Sequence, residues 1–209
     1  MNPWWWLLVP ATYLLGSVSF AYLAGRLKGV DLRQHGSKNL GATNAGRVLG
    51  KGWFFAVFLA DLAKGLVPCL VAMHLTGSPD PWLPLATAAA AILGHVFTCF
   101  HGFKGGKAVA TSLGVLLGLF WQVGLAAFAL WLVVWLIGLA GFRLGAAGAV
   151  GPASMVAAVA VPLIYSFVFP HPWSGGNIVF GVFVVLVSTV VVVRHRKNLV
   201  ALFARPAAP

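Results

Sequence analysis

Seven continuous apolar stretches run along the chain, at about 4–25, 53–75, 81–100, 108–120, 122–141, 151–169 and 177–193. None alternates with a period of two, the mark of a membrane β-strand. A helix needs about 20 apolar residues to cross the hydrocarbon core, and in lipid an open backbone has no other solution than a helix or a closed barrel. The pattern therefore predicts an all-α integral membrane protein, a single bundle of seven transmembrane helices. The fourth stretch is short for a full span, and its join with the fifth is poorly marked. No repeat, long linker or second domain is visible, so residues 1–209 read as one domain. The first stretch has no basic segment before it and a basic segment, not a small-residue cleavage site, after it. It reads as a retained span and not as a cleaved signal.

The polar segments between the stretches set the orientation. Segment 26–51 holds Arg26, Lys28, Arg33, Lys38, Arg47 and Lys51. Segment 101–107 holds Lys104 and Lys107, Arg143 follows the fifth stretch, and Arg194, Arg196, Lys197 and Arg205 follow the seventh. The alternate segments near 76–80, 120–122 and 170–176 contain no Lys or Arg. Basic residues stay on the cytoplasmic side, so the N-terminus is expected outside and the C-terminus in the cytoplasm, as seven spans require. Trp4, Trp5, Trp6, Trp82 and Trp173 fall near the outer ends, where an aromatic belt belongs.

Composition sharpens this picture. Of 209 residues, 60% are hydrophobic and 8% charged, whereas soluble domains carry about one quarter charged residues. Fourteen Lys and Arg face three acids, Asp31, Asp61 and Asp80, for a formal charge of +11. Clustered in short loops between apolar runs, these charges suit membrane orientation and anionic substrates or headgroups better than nucleic acid, which is not expected as a partner. Cys69 and Cys99 lie in apolar runs without CxxC spacing, no His/Cys cluster has metal-ligand spacing, and no carboxylate cluster can hold magnesium. Neither a metal nor a cofactor is expected.

Three constellations carry candidate chemistry. Residues 31–47, DLRQHGSKNLGATNAGR, are rich in Gly, Ser, Asn and Thr with basic residues interleaved. Glycines let a backbone approach a ligand closely, successive N–H groups form anion nests, and Arg33 and Arg47 can grip phosphate through two hydrogen bonds. The second is Phe103-Lys104-Gly105-Gly106-Lys107 leading into a helix, a phosphate-cradle pattern without the spacing of a Walker A loop. The third is Arg194-His195-Arg196-Lys197-Asn198, which also reads as a plain basic anchor. Within the spans, Asp61 and Lys64 share a helix face and read first as a neutralising pair. His95 reads equally as a core histidine or a functional one.

In this order and at these spacings the constellations resemble the PlsY family of bacterial membrane acyltransferases. The likeness runs from about residue 12 to 200. It takes in Gly16-Ser17, Asp31-Leu32-Arg33, Gly36-Ser37, Asn39, Gly41-Ala42-Thr43-Asn44, Arg47, Asp61-x-x-Lys64-Gly65, Gly94-His95, residues 103–107, Val109-Ala110-Thr111 and Arg194-His195-Arg196-x-Asn198. The chain departs from the family pattern at four places. Lys38 and Ala108 stand where glycine is usual, and Ser19 and Thr98 where proline is common. The resemblance implies a seven-helix bundle of the bacterial plasma (inner) membrane with a cytoplasmic active site, in which catalysis is expected to rest on Ser37, Arg47, Lys107, His195 and Asn198, with substrate phosphate held by Arg33, Gly36, Asn39, Thr43, Asn44, Lys104, Gly105, Gly106 and Arg194. It also implies acyl transfer from acyl-phosphate to the 1-hydroxyl of glycerol 3-phosphate, giving lysophosphatidic acid and inorganic phosphate at the first step of phospholipid biosynthesis.

The residues suit that chemistry. Acyl-phosphate is an activated mixed anhydride and needs no nucleotide. Two phosphate-bearing substrates need cations, and orienting the reactants is worth about 7–11 kcal/mol of barrier. Ser37 reads as a hydroxyl donor and not as a nucleophile. Beyond the substrates and the bilayer no obligate protein partner is expected. Two competing readings are a transporter of anionic phosphate compounds, which requires polar residues through the membrane depth and usually a repeat, and a non-catalytic module for anionic lipid, which does not require the Gly-Ser-Asn-Thr texture.

Overall fold

The structure is a computed structural model that describes residues 2–77 and 81–196. Every regular element among them is helical. A 3-10 turn, Pro3–Leu7, leads into α1 (Leu8–Ser17), followed by α2 (Phe20–Leu27), α3 (Ala42–Leu49), α4 (Lys51–Thr76) and α5 (Trp82–Val96). After a second 3-10 turn, Cys99–His101, come α6 (Val109–Leu119), α7 (Trp121–Ala140), α8 (Ala146–Val168) and α9 (Asn177–Arg194). The chain forms two compact units, one up to Leu125 and one from Ala126.

Six segments are long and apolar enough to cross a membrane: Pro3–Leu27, Lys51–Thr76, Trp82–His101, Trp121–Ala140, Ala146–Val168 and Asn177–Arg194. The fourth apolar stretch forms α6, with 11 residues. At 1.5 Å per residue it reaches only about 16 Å, short of a core of about 30 Å. Phe120, with φ −142°, separates it from α7. Large apolar side chains lie on the outside of the long helices: Leu163 on α8 is 62% exposed and Phe167 is 91% exposed. In water such a surface would be costly, and in lipid it is the expected exterior.

In the first unit, α1 and α2 divide what the sequence reads as one span. Ser19 caps α2 by accepting the Tyr22 amide at 3.2 Å. The break exposes the Val18 carbonyl, which accepts Lys64 Nζ of α4 at 2.8 Å. Contact between α4 and α6 is close because Gly65 and Gly114 face backbone: a Cβ on Gly65 would strike the Thr111 carbonyl, and one on Gly114 the Leu62 carbonyl.

Helix α3 lies inside the basic segment that the sequence reads as a loop. Its apolar positions Ala42, Ala45, Val48 and Leu49 follow helical spacing, and Ala45 joins a small core with Ala21, Ala24, Leu32, Leu40 and Val57. In the second unit, the Ser188 hydroxyl of α9 donates to the Ala158 carbonyl of α8. Trp131 Nε1 of α7 donates to Ser154 Oγ of α8 at 3.1 Å.

Candidate active site

Buried core residues anchor the segment between α2 and α3 at Leu32 and Leu40. Between these anchors, Asn44 organises the backbone. Asn44 is 1% exposed, its Oδ1 accepts the Ser37 amide at 2.8 Å, and its Nδ2 donates to the Leu32 and His35 carbonyls at 3.1 Å each. Gly36 has φ +60°, and a Cβ there would collide with Asn44 Oδ1. Sequence reading assigned Gly36 and Asn44 to direct phosphate contact. Asn44 is instead buried and engaged by the loop backbone, and Gly36 provides the turn that lets Asn44 fit.

Asp31 and Arg33 form a two-point pair. Asp31 Oδ1 accepts Arg33 Nε at 2.9 Å, and Oδ2 accepts an Arg33 terminal nitrogen at 2.7 Å. The guanidinium holds the Asp31 carboxyl down to about 2, and the carboxylate raises Arg33 above its ordinary value. The guanidinium also lies over the Tyr22 ring, 4.9 Å from its centroid, and the other neighbour of that ring is His101, at 4.4 Å. Arg33 is therefore aimed by a carboxylate and an aromatic face before any ligand arrives.

The second loop is fastened to the end of α5. The Gly105 amide donates to the Val96 carbonyl and the Gly106 amide to the His95 carbonyl, each at 3.0 Å. The Gly-Gly-Lys pattern predicts a phosphate cradle at these glycines. Their amides are instead engaged by α5, and the missing side chains allow the close approach: a Cβ on Gly106 would overlap His95 Nε2. The preceding turn is tied to α1, because Thr98 Oγ1 donates to the Ser17 carbonyl at 2.6 Å.

Together the two loops enclose a cleft of about 430 Å³ lined by Arg33, Lys38, Asn39, Leu40, His101, Lys104 and Gly105. Three cations line it, and the acid nearest in sequence, Asp31, is bound to one of them, Arg33. Such a cleft is suited to a phosphate group. The lining includes Arg33, Asn39, Lys104 and Gly105 of the expected phosphate-binding residues, together with Lys38, the cation that departs from the family pattern. His101 was missed. The available signal was a histidine beside glycine at the head of the basic loop.

The other expected residues are not in the lining of this cleft. Ser37 is exposed beside Lys38. Thr43 and Arg47 share one face of α3, four residues apart, with Arg47 exposed in the last turn. Lys107 is half-buried just before α6. In the second unit, Arg194 ends α9 and His195 caps it, buried, with Nδ1–H donating to the Val191 carbonyl at 2.8 Å. Asn198 lies outside the described residues.

The sequence matches the family model described as glycerol-3-phosphate acyltransferase over residues 6–205. It is 43% identical over 199 residues to the glycerol-3-phosphate acyltransferase of Parasynechococcus marenigrum, covering 95% of this chain and 86% of that one. To the Aquifex aeolicus glycerol-3-phosphate acyltransferase it is 38% identical over 192 residues, 92% of each chain. Among solved structures, the glycerol 3-phosphate form of PlsY, an integral membrane glycerol 3-phosphate acyltransferase, is similar at TM-score 0.81 and 37% identity, with 94% of this chain and 90% of that chain covered. The lysophosphatidic acid form of PlsY is similar at TM-score 0.77 and 35% identity, with the same coverage. With a family model spanning nearly the whole chain and full-length relatives at about 40% identity, the chain belongs to the glycerol-3-phosphate acyltransferase family, and its structural likeness is to PlsY.

Proposed function

We propose that this chain transfers a fatty acyl group from acyl-phosphate to the 1-hydroxyl of glycerol 3-phosphate. The observation that carries the reading is the cleft in which Arg33, Lys38 and Lys104 converge from two Gly-rich loops. It offers cations to phosphate and no carboxylate suited to be a general base. The hydroxyl oxygen attacks the acyl carbonyl carbon, and basic groups stabilise the oxyanion. The bond from that carbon to the phosphate oxygen then breaks, and the hydroxyl proton leaves on the departing phosphate. Lysophosphatidic acid and inorganic phosphate are the products.

Arg47 and Lys107 grip substrate phosphate, Ser37 donates its hydroxyl to a phosphate or carbonyl oxygen, and Thr43, Asn39 and Lys104 add donors. On the sequence pattern alone, Arg194, His195 and Asn198 serve the same chemistry. The acyl chain lies among apolar side chains between helices. No metal, cofactor or obligate protein partner takes part. The whole chain acts as one transferase domain of the bacterial inner membrane, with six full-length spans and the short α6 as a seventh membrane segment, its N-terminus outside and the cleft and C-terminus cytoplasmic. The distribution of Lys and Arg supports that topology.

Donor choice tests the function. Purified protein offered glycerol 3-phosphate with acyl-phosphate, acyl-coenzyme A or acyl-carrier protein should form lysophosphatidic acid only from the first. Turnover with either thioester at a comparable rate contradicts it. Labelling of single cysteines from outside intact cells tests the topology: position 174 should react and position 37 should not.

A further inference from the structure

Four buried polar side chains of the first unit, Asp61, Lys64, His95 and Thr111, form one connected set outside the lining of the cleft. Asp61 and Lys64 of α4 are each 3% exposed and pair at 2.9 Å. Lys64 Nζ also donates to the Val18 carbonyl at the break between α1 and α2 and lies 5.6 Å from the Phe20 ring centroid. Asp61 Oδ1 is 3.7 Å from His95 Nδ1 on α5, and the same nitrogen is 3.2 Å from Thr111 Oγ1 on α6. One imidazole is thus approached by α4 and α6 on its Nδ1 side. Its Nε2 edge abuts Gly106, and its own main-chain carbonyl accepts the Gly106 amide.

Burying an ion pair costs several kcal/mol per ion in lost hydration, and apolar side chains of similar volume often do as well or better. Holding α4, α5 and α6 together does not require this cluster. What the cluster adds is a fixed position and ring orientation for His95, and with them a fixed seat for Gly105 and Gly106. Lys104 and Lys107 flank those glycines directly, so a small tilt of the imidazole moves both cations. We propose that His95, held by Asp61, Lys64 and Thr111, is a positioning residue that sets the Phe103–Lys107 loop for phosphate binding. This rests on the assignment of Lys104 and Lys107 to substrate phosphate.

Thr111→Val keeps the shape of the side chain and removes the hydroxyl beside His95 Nδ1. It should raise KM for glycerol 3-phosphate by about fivefold, the equivalent of one ordinary hydrogen bond, with kcat within about twofold. Amide exchange in a peptide spanning 103–107 should accelerate in protein held in lipid nanodiscs. Thr111→Ser should restore both values. His95→Asn and Gly106→Ala, which alter the same seat from its two sides, should raise KM further. A purely structural role predicts a lowered melting temperature with unchanged KM and unchanged loop exchange in Thr111→Val, and that result overturns the proposal even if His95→Asn fails to fold. If the unmodified protein does not turn over glycerol 3-phosphate, the functional reading fails. Loop exchange in the Thr111 variants still decides whether the cluster seats the loop.

Discussion

The amide of Ser37 donates to Asn44 Oδ1 at 2.8 Å, joining a loop residue to the first turn of α3 seven positions later. The same side chain donates to the Leu32 and His35 carbonyls, so three points of the loop hang from one buried amide. Asn44→Ala takes the partner from the Leu32 carbonyl and the Ser37 amide, while the His35 carbonyl keeps the Lys38 amide at 3.1 Å; each group left unpaired costs about 1–3 kcal/mol where water does not reach it. Activity should fall by more than thermal stability predicts, because the loop that presents Ser37 and Lys38 loses its template. Melting temperature and kcat/KM measured on the same preparation check this.

Lys38 and Ala108 both have φ +58°, in the left-handed region, at the two positions where the family pattern usually has glycine. For an L-residue that conformation costs about 1–2 kcal/mol, and glycine returns about 0.4–1 kcal/mol of that through the entropy of the unfolded chain. Lys38→Gly and Ala108→Gly should each stabilise the protein by about 0.5 kcal/mol, the balance of those two effects. They should differ in kinetics. Lys38 lines the cleft, so Lys38→Gly should raise KM for a phosphate-bearing substrate, while Ala108→Gly should leave KM unchanged.

The Asp31–Arg33 pair gives a pH signature. The folded carboxyl titrates near 2, below its ordinary value of 3.8, through the Arg33 guanidinium. A depressed carboxyl stabilises the folded loop above the ordinary value and loses that contribution as pH falls from about 4 towards 2. The pair should therefore stay intact through the neutral range, with Asp31→Asn abolishing the change between pH 4 and 2. The carboxyl carbon shift of Asp31 in an NMR titration reads it directly.

Arg47 and Lys107 are assigned to substrate phosphate, and neither is a deeply buried core residue. Each alanine variant should fold and lose at least about a hundredfold in kcat/KM, the scale of removing one positioned donor. Arg143→Ala, an exposed basic residue between α7 and α8, should retain activity. Near-normal turnover in Arg47→Ala and Lys107→Ala would reduce these charges to topology signals.

The helices and the chemical character of the loops are legible in the sequence, because apolar runs and Gly-Ser-Asn-Lys texture are local features. The internal arrangement of the site is not. Helix α3 escapes notice because Thr43, Asn44, Gly46 and Arg47 interrupt an eight-residue pattern whose apolar face is only completed by Leu32 and Val57. The engaged amides of Gly105 and Gly106 depend on the end of α5, and the place of His101 depends on Tyr22 of α2. The departures from the family pattern become intelligible only in three dimensions. Ser19 caps α2, and Thr98 ties its turn to the Ser17 carbonyl.

The most direct test of the account is the stoichiometry of a single reaction. Purified protein in lipid, with a metal chelator present, is given acyl-phosphate labelled in its acyl chain, with and without glycerol 3-phosphate. The account predicts equal amounts of inorganic phosphate and labelled lysophosphatidic acid when the acceptor is present. When it is absent, no label should be held covalently on the protein. An acyl group trapped on Ser37, or phosphate release without lysophosphatidic acid, would contradict direct transfer between the two substrates.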